Sequence, residues 1–151
     1  MEIRRGHVDD WDAATELAWI TFLRFEAADY GEEGTTSFRN FLSDALLRRM
    51  FLMGEYLLFV ATIDEHIVGM ITLRNTNHIS LLFVDEAYHH RGIGTALIEY
   101  ACEYLRGEHQ WKITIDAAPY AVDFYHRLGF RDMSEEKLAE GIRYTPMSKL
   151  L

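Results

Sequence analysis

The sequence is poor in residues that crosslink or interrupt a fold. It has a single cysteine among 151 residues, Cys102, so no disulfide bond can form within the chain. That usage favours a reducing compartment, and we expect a cytoplasmic protein. Only two prolines occur, and we find no internal repeat, low-complexity tract or linker. A chain of this length can bury a core of its own, so we expect a single domain over residues 1–151.

Long hydrophobic runs and an excess of basic residues are also missing. No stretch of 18 apolar residues is present, and residues 1–11 carry no apolar run after their basic residues. We therefore expect no membrane segment and no secretory signal. The formal net charge of −9 argues against a nucleic-acid backbone as the main partner. It is compatible with a cationic substrate, although an acidic surface that only keeps the protein in solution explains it as well.

Hydrophobic periodicity predicts both helices and strands along the chain. Runs rich in β-formers alternate with short polar turns, and other segments repeat apolar residues at helical spacing. The predicted strands cover residues 3–5, 56–62, 67–73, 78–84, 112–117 and 142–147. Four helices are predicted: the first begins at Asp9, the second spans 37–53, the third ends at Gly107 and the fourth ends at Gly129. A loop is predicted over 31–36. This order implies a mixed α/β sheet with helices on both faces.

One segment places two closely spaced glycines between a strand and a helix. Gly92 and Gly94 follow the strand that ends at Val84 and precede a long amphipathic helix. Unpaired N–H groups and the helix dipole favour an anion at such a helix start, and glycine lets a phosphate approach the backbone. Arg91 adds a charged donor. The segment lacks the third glycine of a dinucleotide fingerprint and the Gly-Lys-Ser/Thr ending of a nucleoside-triphosphate loop. Taken alone, the glycines fit a phosphate site or an ordinary turn.

Two motifs together resemble the GNAT superfamily of N-acetyltransferases. Residues 88–97, YHHRGIGTAL, are similar to the family's pyrophosphate-binding motif Q/R-x-x-G-x-G/A, and residues 121–130, AVDFYHRLGF, are similar to its A-x-x-F-Y-x-x-x-G-F segment. They occur in the family's order and spacing, and the resemblance covers essentially the whole chain. It implies an α/β fold with a GNAT-like mixed sheet of about six to seven strands. The N-terminal part would be antiparallel, followed by a splayed parallel pair, with helices on both faces.

The resemblance also implies where acetyl-CoA binds. In the family, acyl-CoA lies where two parallel strands splay apart, and its pantetheine arm bonds to main chain like an added strand. Carried over to this sequence, the strands are 78–84 and 112–117. The expected binding residues are Leu82, Phe83, Val84, His89, His90, Arg91, Gly92, Ile93, Gly94, Thr95 and Ala118. His89 stands where the family usually has Gln or Arg, and Ala118 where many members have Asn, which removes one side-chain contact. No metal ion is expected.

The chemistry implied is direct attack of a primary amine on the thioester in a ternary complex. Tyr125 matches the tyrosine that protonates the leaving thiolate in many members. It also lies on the apolar face of its predicted helix, so a plain core residue is the alternative. His78 is the candidate base, because histidine exchanges protons near neutral pH and some relatives carry a base at the corresponding place. A solvated turn histidine is the alternative. Cys102 lies mid-helix among apolar residues, so no acyl-enzyme is expected.

The acceptor is expected to be a small-molecule amine. A protein lysine or N-terminal acetyltransferase and a non-catalytic acyl-CoA-binding module are the open alternatives. The first two predicted helices would line the acceptor pocket with aromatic and acidic side chains that suit a cation, although core packing and a solvated face explain the same pattern. These residues are Trp19, Phe22, Phe25, Glu26, Asp29, Tyr30, Glu32 and Glu33. The oligomeric state is open, with a homodimer among the options.

Overall fold

A computed structural model describes all 151 residues, which form one eight-stranded sheet with helices on both faces. The strands are β1 (Glu2–Arg5), β2 (Leu57–Ile63), β3 (His66–Arg74), β4 (His78–Val84), β5 (Lys112–Ala117), β6 (Arg131–Asp132), β7 (Lys137–Ala139) and β8 (Ile142–Leu150). The helices are α1 (Trp11–Phe25), α2 (Ala27–Leu42), α3 (Ala45–Leu52), α4 (Ile93–Gly107) and α5 (Val122–Arg127).

The strand order is β1-β2-β3-β4-β5-β8-β6, and β7 pairs with β8 at the side of this path. All neighbouring strands are antiparallel except β4 and β5, which are parallel. The predicted α/β fold class with one parallel pair is therefore confirmed. The short strands β6 and β7 had no counterpart in the prediction. None of the helices combines the length and apolarity needed to cross a lipid bilayer.

Each face of the sheet carries its own hydrophobic cluster. The cluster on the α4 face includes Leu97 and Leu105, and the cluster on the α1 face includes Ala14 and Phe22, all with 0% exposure. Helix α4 can approach β3 closely because Gly69 has no side chain. A Cβ atom there would lie 3.0 Å from Leu97 Cδ1, closer than side chains normally pack. Burial of both clusters holds the helices against the sheet.

The predictions for the N-terminal helices were wrong in detail. Residues 31–36 are not a loop but part of α2, which is kinked at Gly31 with φ 72° and ψ −173°. Residues 37–53 are not one helix, because the chain breaks between α2 and α3. There the Asp44 carboxylate accepts the N–H of Leu46 at 2.7 Å, which caps the start of α3. Helix α1 starts at Trp11 rather than after Asp9, since residues 8–10 form a short 3₁₀ turn.

Candidate active site

Strands β4 and β5 diverge after two residue pairs. His78 pairs with Thr114 and the next two residues pair with each other, but no later residue of β4 pairs with β5. Strand β5 instead pairs along its whole length with β8. The edge of β4 over residues 80–84 therefore presents backbone groups without a strand partner on that side. Such an edge can bind an extended ligand through main-chain hydrogen bonds.

A β-bulge at Ser80 determines which side chains of β4 face each side of the sheet. Thr72 of β3 pairs with Leu81, but the next residue of β3 pairs with Ile79, so Ser80 is an extra residue. The Tyr56 hydroxyl lies 2.8 Å from Ser80 Oγ and 2.7 Å from Thr72 Oγ1, which fixes the bulge. As a result Ile79 joins the cluster on the α4 face, whereas Leu81 joins the cluster on the α1 face.

The segment between β4 and α4 is a tight turn that presents a helix start to the end of β4. φ is 63° at His90 and 79° at Gly92, the residue just before α4. A Cβ atom at Gly92 would meet nothing within 4 Å, so backbone conformation rather than crowding makes glycine the suitable residue. At Gly94 a Cβ atom would lie 3.5 Å from Phe124 Cζ, an ordinary contact. The first N–H groups of α4 have no partner within the helix and can bind an anion.

The side chain of His89 closes this glycine loop. Its Nε2 atom lies 2.7 Å from the carbonyl oxygen of Val84, and its ring centroid lies 5.0 Å from that of Phe25 at the end of α1. The His89 ring therefore ties the end of β4 to α1, a contact that the sequence motif does not indicate. The Arg91 side chain is exposed, with its guanidinium 5.2 Å from the Tyr88 ring centroid, and it remains accessible to a phosphate.

Tyr125 lies on α5, just beyond the end of β5. Its side chain is 4% exposed, and its ring makes edge contacts with Phe124 and Phe130 at centroid distances of 5.1 and 5.3 Å. Burial raises the pKa of Tyr125, and the nearby Tyr120 and Glu26 raise it further. The hydroxyl therefore stays protonated at neutral pH. The ring of Tyr125 thus packs in the core, and its protonated hydroxyl is able to donate a hydrogen bond.

His78 lies at the end of β4 that still pairs with β5, and its side chain contacts β5. Its Nδ1 atom lies 2.7 Å from Thr114 Oγ1, and its Nε2 atom lies 3.5 Å from Asp116 Oδ2. The His78 ring lowers the pKa of Asp116 below its ordinary value through a hydrogen bond. The side chain of His78 is 17% exposed, so its ring is oriented by the protein rather than freely solvated. Both ring nitrogens of His78 therefore have partners on β5, and Asp116 stays ionised beside the ring.

Among the predicted acceptor residues, the aromatic ones mostly serve packing. Phe22 is fully buried, and its ring stacks on Phe38 at 4.3 Å. Trp19 stacks on the same Phe38 ring at 6.5 Å. Phe25 contacts the glycine loop as described above. This part of the stripe therefore builds the α1 side of the core.

Glu26 differs from the other predicted acidic residues because it is buried. It lies at the junction of α1 and α2 and is 7% exposed, and the hydroxyls of Tyr30 and Tyr120 face its carboxylate. Burial raises the pKa of Glu26 to about 7, although these hydroxyls act in the opposite direction. Tyr120 was not among the residues predicted from the sequence. The remaining acidic candidates on α2 are exposed, namely Asp29, Glu32 and Glu33.

Because the pKa of Glu26 is raised, the free energy of unfolding should depend on pH through this group, and a variant with a neutral side chain there should lack that dependence. Between its ordinary value of 4.5 and about 7, the unfolded chain loses this proton while the folded protein keeps it. Stability from this group therefore falls as pH rises through that window, by roughly 3 kcal/mol. We expect Glu26→Gln to gain that amount relative to the parent between pH 4.5 and pH 8 in urea unfolding. Glu32→Gln, an exposed control, should show no such trend. A pH-independent difference for Glu26→Gln would mean that the carboxyl is solvated.

Helix α2 contacts the turn between β7 and β8 through backbone. A Cβ atom at Gly34 would lie 3.0 Å from the carbonyl oxygen of Gly141, and one at Gly141 would lie 2.8 Å from the amide nitrogen of Gly34. Two glycines therefore allow this close approach. The contact connects α2 to the hairpin whose longer strand, β8, pairs with β5.

Comparison with known proteins identifies the family. Residues 26–151 match the family model described as an acetyltransferase (GNAT) domain. Glucosamine 6-phosphate N-acetyltransferase of Trypanosoma brucei brucei is 38% identical over 58 residues, which are 38% of this chain and 40% of that protein. The chain spans less than half the length of the curated relatives it matches.

Solved structures show the same fold. A GCN5-related N-acetyltransferase from Rhodopseudomonas palustris is similar with a TM-score of 0.86 and 24% identity over 99% of this chain and 95% of that one. The PaiA N-acetyltransferase of Thermoplasma acidophilum, in complex with coenzyme A, has a TM-score of 0.82 and 22% identity over 99% and 98%. Because the family model matches most of the chain, including both motifs, this protein belongs to the GNAT acetyltransferase family.

Proposed function

We propose that this protein transfers an acetyl group from acetyl-CoA to a primary amine by direct attack in a ternary complex. The observation that carries the proposal is the unpaired edge of β4, which runs directly into the glycine loop, with Tyr125 on the neighbouring helix. Membership of the family and the fold shared with a coenzyme A complex support acetyl-CoA as the donor.

The chain's own backbone would bind most of the donor. Leu82, Phe83 and Val84 lie on the open edge of β4 and can bond to the pantetheine amides. The N–H groups over residues 90–95 can bond to the pyrophosphate at the start of α4. Ala118, which directly follows β5, offers only its backbone. One N–H group of β4 would also stabilise the charge that develops on the thioester oxygen.

Two protons must leave the acceptor nitrogen during transfer. An amine with an ordinary pKa near 10.4 must first be neutralised, which costs about 4.6 kcal/mol at pH 7. In this mechanism His78 accepts that proton and passes it to solvent, with its ring oriented by Thr114 and Asp116. The N–C bond forms, the C–S bond breaks, and Tyr125 donates its proton to the departing sulfur. When the tetrahedral intermediate breaks down, the nitrogen loses its second proton and the Tyr125 phenolate takes it up. The reaction therefore releases one proton overall.

A small-molecule amine is the acceptor class that we favour. The acidic net charge and a relative named for an aminosugar acceptor support the same class.

Thiol release from acetyl-CoA, measured across a panel of small amines and peptides, tests this proposal. Turnover with a small amine above the background hydrolysis rate is the expected result. Turnover with peptides alone would indicate a protein acetyltransferase. Tight binding of CoA without turnover of any acceptor would indicate a non-catalytic acyl-CoA-binding module.

Replacing His78 tests the base. We expect His78→Ala to lower the rate mainly at pH values below the pKa of the amine, because the amine needs a proton acceptor there. High pH should partly restore the rate, since a larger fraction of the amine is already neutral. The measurement is kcat/KM against pH.

His126→Ala is the matched control for this experiment. His126 is exposed on α5 and also contacts an aspartate, since its Nε2 atom lies 2.7 Å from Asp132 Oδ1. Its profile should match that of the parent. If His78→Ala also keeps the shape of the parent's profile, His78 has no part in proton transfer.

A further inference from the structure

Glu26 is a buried carboxyl group without a cationic partner. It is 7% exposed, and none of the ion pairs in the structure includes it. The groups that face it are the hydroxyls of Tyr30 and Tyr120, and the nearby charge is that of another acid, Asp29. A buried carboxylate in such surroundings is costly, and a bound cation would supply the missing partner.

The Glu26 carboxyl lies beside the proposed reaction centre. The preceding residue, Phe25, contacts His89 of the glycine loop. Tyr120 lies in the short turn between β5 and α5. The charge of Glu26 also acts on Tyr125, whose pKa it raises. The Glu26 carboxyl therefore lies near Tyr120 and Tyr125, and the residue before it contacts the glycine loop.

Tyr120 lies between the carboxyl group and the surface of the protein. Tyr120 is 57% exposed although its hydroxyl faces Glu26, so the residue spans from solvent to the carboxylate. Tyr30 is held in place by an edge contact with Phe22 at 5.2 Å. A cation that enters here would meet a carboxylate and the rings of two tyrosines, which is a favourable setting for an ammonium group.

We propose that Glu26, together with Tyr30 and Tyr120, forms the subsite that binds the acceptor as its ammonium ion. This inference rests on the proposed function and specifies its substrate class as cationic aliphatic amines. Glu26 contributes binding and selects charged acceptors over neutral ones of the same shape. His78, whose ring contacts β5, takes the proton in the following step.

Binding of 1,4-diaminobutane to the CoA-loaded protein tests the inference without requiring turnover. We expect the parent to bind this diamine, measured by calorimetry at pH 8, and to bind uncharged 1,4-butanediol at least about tenfold more weakly. In Glu26→Gln the affinity for the diamine should fall by about tenfold or more, while the affinity for CoA stays within about twofold of the parent value.

Glu16→Gln is the matched control, because it makes the same change of net charge at an exposed position on α1. It should bind the diamine as the parent does. The inference is overturned if the parent does not bind the diamine, if Glu26→Gln binds it as well as the parent, or if both variants lose the same affinity. Loss confined to Glu26→Gln in a protein that turns over no amine would sustain the subsite and reject the acetyltransfer. Circular dichroism of each variant checks that the fold is intact.

Discussion

We expect Tyr125→Phe to turn over acetyl-CoA roughly 10²-fold more slowly than the parent. The substitution keeps the ring and its contacts with Phe124 and Phe130 and removes only the hydroxyl. General acid catalysis contributes roughly 10²–10⁴ in rate. We expect the lower end because a thiol with a pKa near 8.5 is already a fair leaving group. The affinity for acetyl-CoA should change little, since the hydroxyl acts mainly as charge develops on sulfur.

Pre-steady-state thiol release and calorimetry separate these two effects. Tyr104→Phe is the matched control, because Tyr104 lies near the far end of α4 with its ring 5.2 Å from Phe59. It should keep the parental rate. If Tyr125→Phe also keeps the parental rate with a good amine, and the chemical step limits that rate, then Tyr125 serves only the core and the proposed mechanism fails.

Gly92→Val is expected to weaken acetyl-CoA binding by about 10²-fold or more. The parent should bind in the micromolar range, which corresponds to about 8 kcal/mol. Valine is strongly disfavoured at the φ of 79° found at Gly92, so the loop must rearrange. Its side chain would also occupy the space through which a phosphate approaches the first N–H groups of α4. Both effects act on the pyrophosphate site.

Gly54→Val controls for backbone strain alone. Gly54 has a φ of 80°, and a Cβ atom there would also meet nothing within 4 Å, but it lies at the end of α3 outside the proposed site. Both variants should lose stability, and only Gly92→Val should lose affinity in calorimetry. A folded Gly92→Val protein with parental affinity would remove the glycine loop from donor binding.

Local sequence patterns predicted the elements that build the donor site. The alternation of β2, β3 and β4 and the apolar face of α4 appear directly as periods in the sequence, because each depends on neighbouring residues. The positive φ at Gly92 is also a local property. For this reason the glycine loop and the position of Tyr125 on a helix could be predicted. The family and the parallel pair followed instead from the resemblance of two short motifs.

Local patterns failed where one residue's conformation depends on distant packing. Gly31 suggested a loop, but only Gly31 leaves the helical conformation, and the residues on both sides of this kink remain helical while Gly34 packs against Gly141. The bulge at Ser80 depends on Tyr56, which directly precedes β2, and on Thr72 of β3. No period in the sequence of β4 could indicate it, although it decides which side chains face α1.

The sequence by itself determined that this chain folds as a GNAT domain, because its two motifs identify the family, and that a glycine turn precedes α4, because that turn follows from local backbone preferences. The tertiary structure alone decided which polar groups meet at the opening between β4 and β5. Thr114 and Asp116 reach His78 only because β5 lies beside β4. Glu26 becomes a buried acid only because the α1–α2 junction meets the turn after β5 at Tyr120. Burial and the pKa of a group depend on neighbours far away in sequence, and only the fold brings those neighbours together.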